Sequence, residues 1–175
     1  MRFQSLTPGL LLGVAAGAYL GLSGYLAAHM SRGARTFPKA TPESMGLQCE
    51  EVAFPNRGGP LLLKGWLIWD KLPSFWVILV HGNGGNRADP SADPLSLARD
   101  LVNRGMGVLV FDLRAHGESQ GERISLDHHG RTDLQGAIDL LQSRGVARDH
   151  IGVVGFSLGA VMALLAAPTE PGLAG

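Results

Sequence analysis

The stretch that most constrains this chain is Ile151–Ala160, an apolar run that stops at a serine between two glycines and continues in helix-forming residues. The spacing G-x-S-x-G, here Gly155 to Gly159 around Ser157, is typical of a strand that turns abruptly into a helix. Such a turn forces the serine into a cramped backbone conformation, and the two glycines remove side chains that would clash. The helix then brings its positive N-terminal end to the serine. Because so short a motif also arises by chance, the upstream segments decide its interpretation.

The composition excludes some classes of function. Lysine plus arginine equals aspartate plus glutamate at 15 each among 175 residues, so no net charge points to nucleic acid or acidic partners. The single cysteine, Cys49, cannot form a disulfide within the chain, and we interpret it as a packing residue.

An uncharged segment near the start, Gly9–Met30, predicts a membrane span. About 22 residues without an ionised side chain make roughly 33 Å of helix, which matches the apolar thickness of a bilayer. A cleaved signal peptide is the competing interpretation, but the apolar run is longer than a usual signal core and no clean cleavage site follows it. Basic residues on both sides of the segment indicate its orientation only weakly. They favour a single-pass membrane protein whose domain lies in the cytoplasm.

Glycines recur at every fourth position of this segment, at Gly9, Gly13, Gly17 and Gly21. One helix face would carry them all, which would permit self-association with a second helix, although a merely glycine-rich span explains the spacing equally well. Residues 31–47 lack periodicity and contain proline, glycine and serine, as a linker does. The predicted organisation is therefore an anchor at 1–30, a linker at 31–47 and a domain at 48–175.

From residue 48 the chain predicts alternating strands and helices. A continuous apolar run such as Phe75–Val80 is expected of a strand covered on both faces of a parallel sheet. Apolar residues at helical spacing, each series followed by a glycine, predict two helices between the strands. The predicted order is a β-hairpin (50–54 and 61–69), then strands 75–80, 108–111 and 151–156 alternating with helices 93–104, 131–144 and one that opens at Ser157. This alternation favours an α/β fold with a mainly parallel sheet.

Each of the last three predicted strands is followed by a glycine-containing motif. In chain order these are His81-Gly82-Asn83-Gly84-Gly85, Asp112-Leu113-Arg114-Ala115-His116-Gly117-Glu118-Ser119 and Gly155-Phe156-Ser157-Leu158-Gly159. Together with the hairpin, they resemble the N-terminal part of an α/β-hydrolase, near the branch that contains serine aminopeptidase-like and lysophospholipase-like enzymes. Chance coincidence of all four features in this order is remote.

The resemblance implies a set of site residues. Ser157 would be the nucleophile, and the backbone N–H groups of Asn83 and Leu158 would form the oxyanion hole, so that the Asn83 side chain need not matter. The supporting residues would be His81, Gly82, Gly155 and Gly159, with His81 positioning the loop that it begins.

The motif after the fourth strand is interpreted as structural support for the site. Its polar members, Asp112, Arg114 and His116, are not assigned to a catalytic triad. Ala115 stands where the family usually has a second glycine, which predicts either backbone strain or a different loop course.

No cofactor or metal ion is predicted. Neither a phosphate-cradling G-x-x-x-x-G-K-[ST] sequence nor a dinucleotide G-x-G-x-x-G pattern occurs. The adjacent His128 and His129 invite a metal hypothesis, but neighbouring residues at a helix start point apart and no spaced carboxylate completes a ligand set.

The residues that would activate Ser157 are the missing part of this pattern. In the family the triad follows the order serine, acid, histidine, but only 18 residues follow Ser157, with one acid, Glu170, and no histidine. His81 could substitute as a base, although its loop is needed for oxyanion binding. We expect a sequence that stops before the acid and histidine, leaving the Ser157 strand with an unpaired edge.

Two hypotheses follow. The first is a membrane-anchored serine hydrolase that cleaves a small-molecule or lipid-like ester or amide through an acyl-enzyme. The alternative is a catalytically inactive, membrane-tethered fragment that acts by binding or assembly.

Overall fold

The computed structural model describes residues 8–30, 32, 35–124 and 128–174. The chain forms two compact units, Met1–Arg32 and Gly33–Gly175. Its first unit includes the helix α1 (Pro8–Met30).

The predicted membrane span does not hold. In the described part of the chain, no helix combines the length and the apolar character that crossing a bilayer requires. The prediction of a span at Gly9–Met30, and of a single-pass membrane localisation with it, is therefore wrong. It relied on the absence of charge, but glycines add no apolar side chain and Tyr19, Ser23 and Tyr25 add polar atoms.

The glycines at every fourth position of α1 are open in the described chain. Apart from the chain neighbours and the backbone of the helix itself, a methyl group added to any of them would meet no atom within 4 Å. Self-association through this face remains a prediction.

The second unit is built on a mixed five-stranded sheet. Its spatial order is β1-β2-β4-β3-β5, in which β1 pairs antiparallel with β2, β2 antiparallel with β4, and β3 parallel with both β4 and β5. The strands are β1 (Cys49–Pro55), β2 (Leu62–Ile68), β3 (Trp76–Val80), β4 (Gly107–Phe111) and β5 (Ile151–Gly155). The sheet is less parallel than predicted because the hairpin joins it through β2. Among the described strands β5 pairs with β3 alone and forms an edge.

Three helices flank the sheet: α2 (Pro94–Asn103), α3 (His128–Ser143) and α4 (Leu158–Ala166). They confirm the predicted helices, with α3 starting three residues earlier than expected. Alternate residues of β3 and β4 point to opposite faces of the sheet, and both faces carry a hydrophobic core, which is why the sequences of these strands are unbroken apolar runs. Ile78 and Leu109 pack with residues of α3 and α4, whereas Val77 and Val108 pack with residues of α2.

Candidate active site

The turn between β5 and α4 holds Ser157 in a strained conformation. Its φ of 50° and ψ of −109° lie outside the regions that a residue with a side chain prefers. A Cβ on Gly155 would come within 3.0 Å of the backbone of Gly159 and Ala160. A Cβ on Gly159 would lie 2.7 Å from the Val80 carbonyl carbon and 2.9 Å from the His81 oxygen. Both glycines are therefore required for the helix to start this close to β3 and β5.

The Ser157 side chain is exposed at the carboxyl edge of the sheet. The Phe156 N–H donates to the Val80 carbonyl at 2.9 Å, which extends the β3–β5 pairing to the residue before the serine. A Cβ on Gly82 would lie 3.4 Å from the Ser157 Cβ, so the loop after β3 passes directly beside the serine. In the described chain no side chain forms a hydrogen bond with the Ser157 hydroxyl.

Two backbone N–H groups near the serine have no acceptor among the described residues. They belong to Asn83, in the loop after β3, and to Leu158, the first residue of α4. Their neighbours are occupied: the Gly85 N–H donates to the Gly82 carbonyl at 3.2 Å and the Gly84 N–H donates to Nε2 of His116 at 3.1 Å. The Leu158 group also lies at the positive end of a helix. Both groups can bind an anionic oxygen.

His81 and His116 form a buried pair that joins the two loops. The His81 Nε2 accepts the Leu113 N–H at 3.0 Å, while its Nδ1 donates to the Gly82 carbonyl at 2.7 Å. The His116 Nδ1 donates to the Arg114 carbonyl at 2.8 Å, which leaves Nε2 to accept the Gly84 N–H. The two rings meet edge to face with centroids 4.9 Å apart. Each histidine therefore holds the other one's loop.

Both histidines are held in the neutral form. Burial lowers the pKa of His81 to about 4, against a smaller opposing effect of its bond to the Gly82 carbonyl. Burial likewise lowers the pKa of His116. Because both nitrogens of the His81 ring are already hydrogen-bonded, His81 has no free nitrogen with which to accept the Ser157 proton.

A buried ion-pair network fixes the start of the loop after β4. The Asp112 carboxylate accepts the Arg87 N–H at 2.7 Å, the Arg87 Nη1 at 2.5 Å and the Glu118 N–H at 2.9 Å. The Arg87 guanidinium also pairs with Glu118 and lies 4.2 Å above the Trp66 ring. Asp112 is thus fully engaged in holding the loop.

Further along the same loop, Arg114 forms a second buried pair. Its guanidinium reaches both carboxylate oxygens of Asp133, at 2.6 to 3.1 Å, and the Asp133 carboxylate also accepts the Arg114 N–H at 3.0 Å. Ala115, the next residue along the loop, has a φ of 61° and is buried. Of the two outcomes predicted for this alanine, the structure shows the strained backbone.

Glu170, the one acid after Ser157, has other partners. Its buried carboxylate pairs with Arg57 and with Arg148, at 2.8 Å from the latter, and accepts the Gln135 Nε2 at 2.8 Å. Glu170 therefore ties the end of the described chain to the hairpin turn and α3. No histidine of the described residues forms a hydrogen bond with it.

The sequence pattern had not singled out the arginine and aspartate partners in these networks. Arg87, Asp133 and Arg57 look in the sequence like ordinary surface charges, and no local signal distinguishes them. The metal hypothesis concerned His128 and His129, whose side chains lie outside the described residues. Within the described residues no group of three or more potential ligands is close enough to hold a metal ion.

Comparison with known proteins identifies the family. The model of the family described as serine aminopeptidase, S33, matches residues 73–175. The chain belongs to this family of α/β hydrolases. Its fold resembles that of the esterase Pf2001 of Pyrococcus furiosus, with a TM-score of 0.73 and 27% identity over 82% of this chain and 53% of the esterase.

Two curated relatives share parts of the sequence. The uncharacterized protein YqkD of Bacillus subtilis (strain 168) is 37% identical over 120 residues, which cover 67% of this chain and 38% of YqkD. Kynurenine formamidase avaC of Aspergillus versicolor is 31% identical over 102 residues, which cover 54% of this chain and 36% of the formamidase. The chain thus spans less than two fifths of each curated relative and about half of the esterase.

Proposed function

We propose that the protein to which this chain belongs is a serine hydrolase, with Ser157 as nucleophile. The observation that carries the proposal is the strained, exposed Ser157 next to the unpaired N–H groups of Asn83 and Leu158. The serine Oγ attacks the carbonyl carbon of an ester or amide, and the two N–H groups stabilise the negative charge on the carbonyl oxygen in the transition state. The leaving group departs with a proton, and water then hydrolyses the acyl-serine.

The substrate class is a carboxylic ester or an amide. The relatives include a protein named as a formamidase and one titled as an esterase, and both bond types present a carbonyl carbon to a serine. A small-molecule or lipid-like substrate fits this chemistry. His81 and His116 are fully hydrogen-bonded and Glu170 is paired with arginines, so the proposal places the proton acceptor and its acid outside the described residues.

Binding without catalysis is the second candidate function. It is favoured by the Ser157 hydroxyl, which has no hydrogen-bonded base in the described chain. In this case the site would hold a carbonyl compound without cleaving it.

A fluorophosphonate probe tests the first proposal against the second. The complete protein to which this chain belongs is incubated with the probe, and the modified residue is located by mass spectrometry. We expect labelling at Ser157, its loss in Ser157→Ala, and unchanged labelling in Ser74→Ala, a matched change at an exposed serine. Labelling that survives Ser157→Ala would contradict the assignment. A folded complete protein that the probe does not modify would favour binding alone.

A further inference from the structure

The loop after β3 forms a tight turn around the Asn83 N–H, one of the two proposed oxyanion donors. The Gly85 N–H donates to the Gly82 carbonyl at 3.2 Å. Asn83 and Gly84 are therefore the central residues of a β-turn. Gly84 has a φ of 74°, which glycine adopts without strain. Because a Cβ on Gly82 would lie 3.4 Å from the Ser157 Cβ, this turn lies directly beside the serine.

The segment before β1 supplies a side chain that holds the turn. The Thr36 hydroxyl donates to the Gly84 carbonyl at 3.1 Å and accepts a hydrogen bond from the Asn86 Nδ2 at 3.2 Å. The Asn86 Oδ1 accepts the Ala88 N–H at 2.8 Å, which fixes the amide group that contacts Thr36. The hydroxyl therefore both donates and accepts within the loop after β3.

The neighbouring Arg35 fixes the position of Thr36. Its guanidinium donates to three backbone carbonyls of the loop after β4, those of Gly117 at 3.0 Å, Ser119 at 2.6 Å and Gly121 at 2.7 Å. Hydrogen bonds from a charged donor are stronger than those between neutral groups. Thr36 thus reaches the turn from a segment that is itself anchored.

The hydrogen bonds of Thr36 lead to the Asn83 N–H through two peptide groups. The carbonyl of Gly84 shares a planar peptide group with the N–H of Gly85, which donates to the Gly82 carbonyl. The carbonyl of Gly82 in turn shares its peptide group with the N–H of Asn83. Fixing each carbonyl therefore also fixes the direction of the N–H on the opposite side of the same plane. All donors in this series point the same way, so each bond polarises the next and strengthens the last donor.

We propose that Thr36 is a positioning residue of the active site, which orients the Asn83 N–H towards the carbonyl oxygen of the substrate. The inference rests on the proposed function, because that function assigns this N–H to the oxyanion hole. Part of the predicted linker, residues 31–47, thus belongs to the site, although it precedes the matched family region. His81 also donates to the Gly82 carbonyl, so the loss of the Thr36 hydroxyl should loosen the donor without removing it.

The rate of fluorophosphonate labelling tests this role in the complete protein. The Ser157 Oγ bonds to phosphorus, fluoride and the serine proton leave, and negative charge develops on a phosphonyl oxygen that the oxyanion hole would bind. Thr36→Val removes both hydrogen bonds of an exposed hydroxyl, so the variant should fold, and we expect the maximal labelling rate to fall about tenfold. The probe concentration at half-maximal rate should change by less than about twofold, since the transition state is affected and probe binding is not.

Two control variants separate positioning from folding. Thr36→Ser keeps the hydroxyl and should be labelled at a rate within about twofold of the wild type. Thr169 lies just after the C-terminal end of α4, and its hydroxyl likewise donates to a carbonyl, that of Ala166 at 2.9 Å, and accepts a side-chain amide, that of Gln135 at 3.2 Å. Thr169→Val should lose a similar amount of stability in urea unfolding and be labelled at the normal rate.

The outcomes distinguish this inference from the proposed function. Labelling of Ser157 at equal rates in Thr36→Val and the wild type would overturn the positioning role alone. An equal fall in rate for Thr36→Ser or for Thr169→Val would also overturn it, because the bond from the Thr36 hydroxyl to the turn would not be the cause. If the probe does not label Ser157 in the folded complete protein, the proposed function fails and the positioning role fails with it.

Discussion

The turn at Ser157 and the loop after β4 lie at the same edge of the sheet but are held in place in opposite ways. At the turn, backbone packs against backbone through Gly155 and Gly159, and the serine hydroxyl and Leu158 N–H have no partner in the described chain. In the loop, charged hydrogen bonds engage Asp112 on every side. Steric packing can hold a residue in place without using its polar atoms. Such a residue keeps its polar atoms free to contact a ligand, whereas the carboxylate of Asp112 is occupied.

Gly159→Ala should cause the largest loss of stability. The added methyl group would lie within 3 Å of the Val80 and His81 backbone, where nothing can move aside cheaply, so we expect a cost of roughly 4 kcal/mol or more. Gly145→Ala is the control, since Gly145 has a φ of 86° but nothing within 4 Å, and should cost about 1 kcal/mol. Urea unfolding followed by circular dichroism measures both, and equal costs would contradict the steric account.

Asp112→Asn should be the next most damaging change. It leaves the buried Arg87 guanidinium short of a counter-charge, which typically costs about 3–5 kcal/mol. The exposed Asp70 provides a matched control, and Asp70→Asn should change the free energy of unfolding by less than about 0.5 kcal/mol. If the two variants unfold at the same urea concentration, the ion pair does not hold the loop.

Acid should weaken the fold through His81. Its pKa is lowered from 6.5 to about 4, so between these pH values the imidazole is protonated in the unfolded chain but neutral in the folded chain. The resulting stability is complete above pH 6.5 and is lost as the pH falls towards 4, by roughly 3 kcal/mol. Urea unfolding at several pH values should show a smaller loss for His81→Gln, but an unchanged loss for His150→Gln at an exposed site.

A direct measurement covers the case in which His81→Gln does not fold. The imidazole nitrogen signals of His81 in the wild type should stay in the neutral form, with Nδ1 protonated, down to about pH 4. Titration near pH 6.5 would contradict the burial argument.

Ala115→Gly should have the smallest effect. At a φ of 61° glycine relieves about 1–2 kcal/mol of strain, which offsets the lost methyl burial and the greater freedom of the unfolded chain. We expect a net change within about 1 kcal/mol. Ala137→Gly, at an equally buried alanine inside α3, has no strain to relieve and should cost about 2 kcal/mol in the same unfolding assay.

Much of the fold could be predicted because its signals are local. The hairpin, the continuous apolar strands β3 and β4 and the helices α2 and α3 follow from periodicity and turn residues within about 15 positions. The position of β4 between β2 and β3 could not be predicted, because strand order depends on packing between distant segments. The N-terminal segment shows the limit of composition: lack of charge predicted a membrane span, which the hydropathy of the glycine-rich α1 does not support.

The candidate site divides in the same way. The sequence by itself determined the tight strand-to-helix turn that holds Ser157. The backbone segments at Gly155 and Gly159 approach so closely that only glycine fits, and the G-x-S-x-G spacing shows this requirement. Only the tertiary structure decided the partners: Asp112 with Arg87, Glu170 with Arg57, and Arg35 with the carbonyls of a loop 82 to 86 residues away. No local sequence signal tells which of many similar charged side chains will form an ion pair. The pairs are decided when folding brings distant segments together and buries particular charges next to each other.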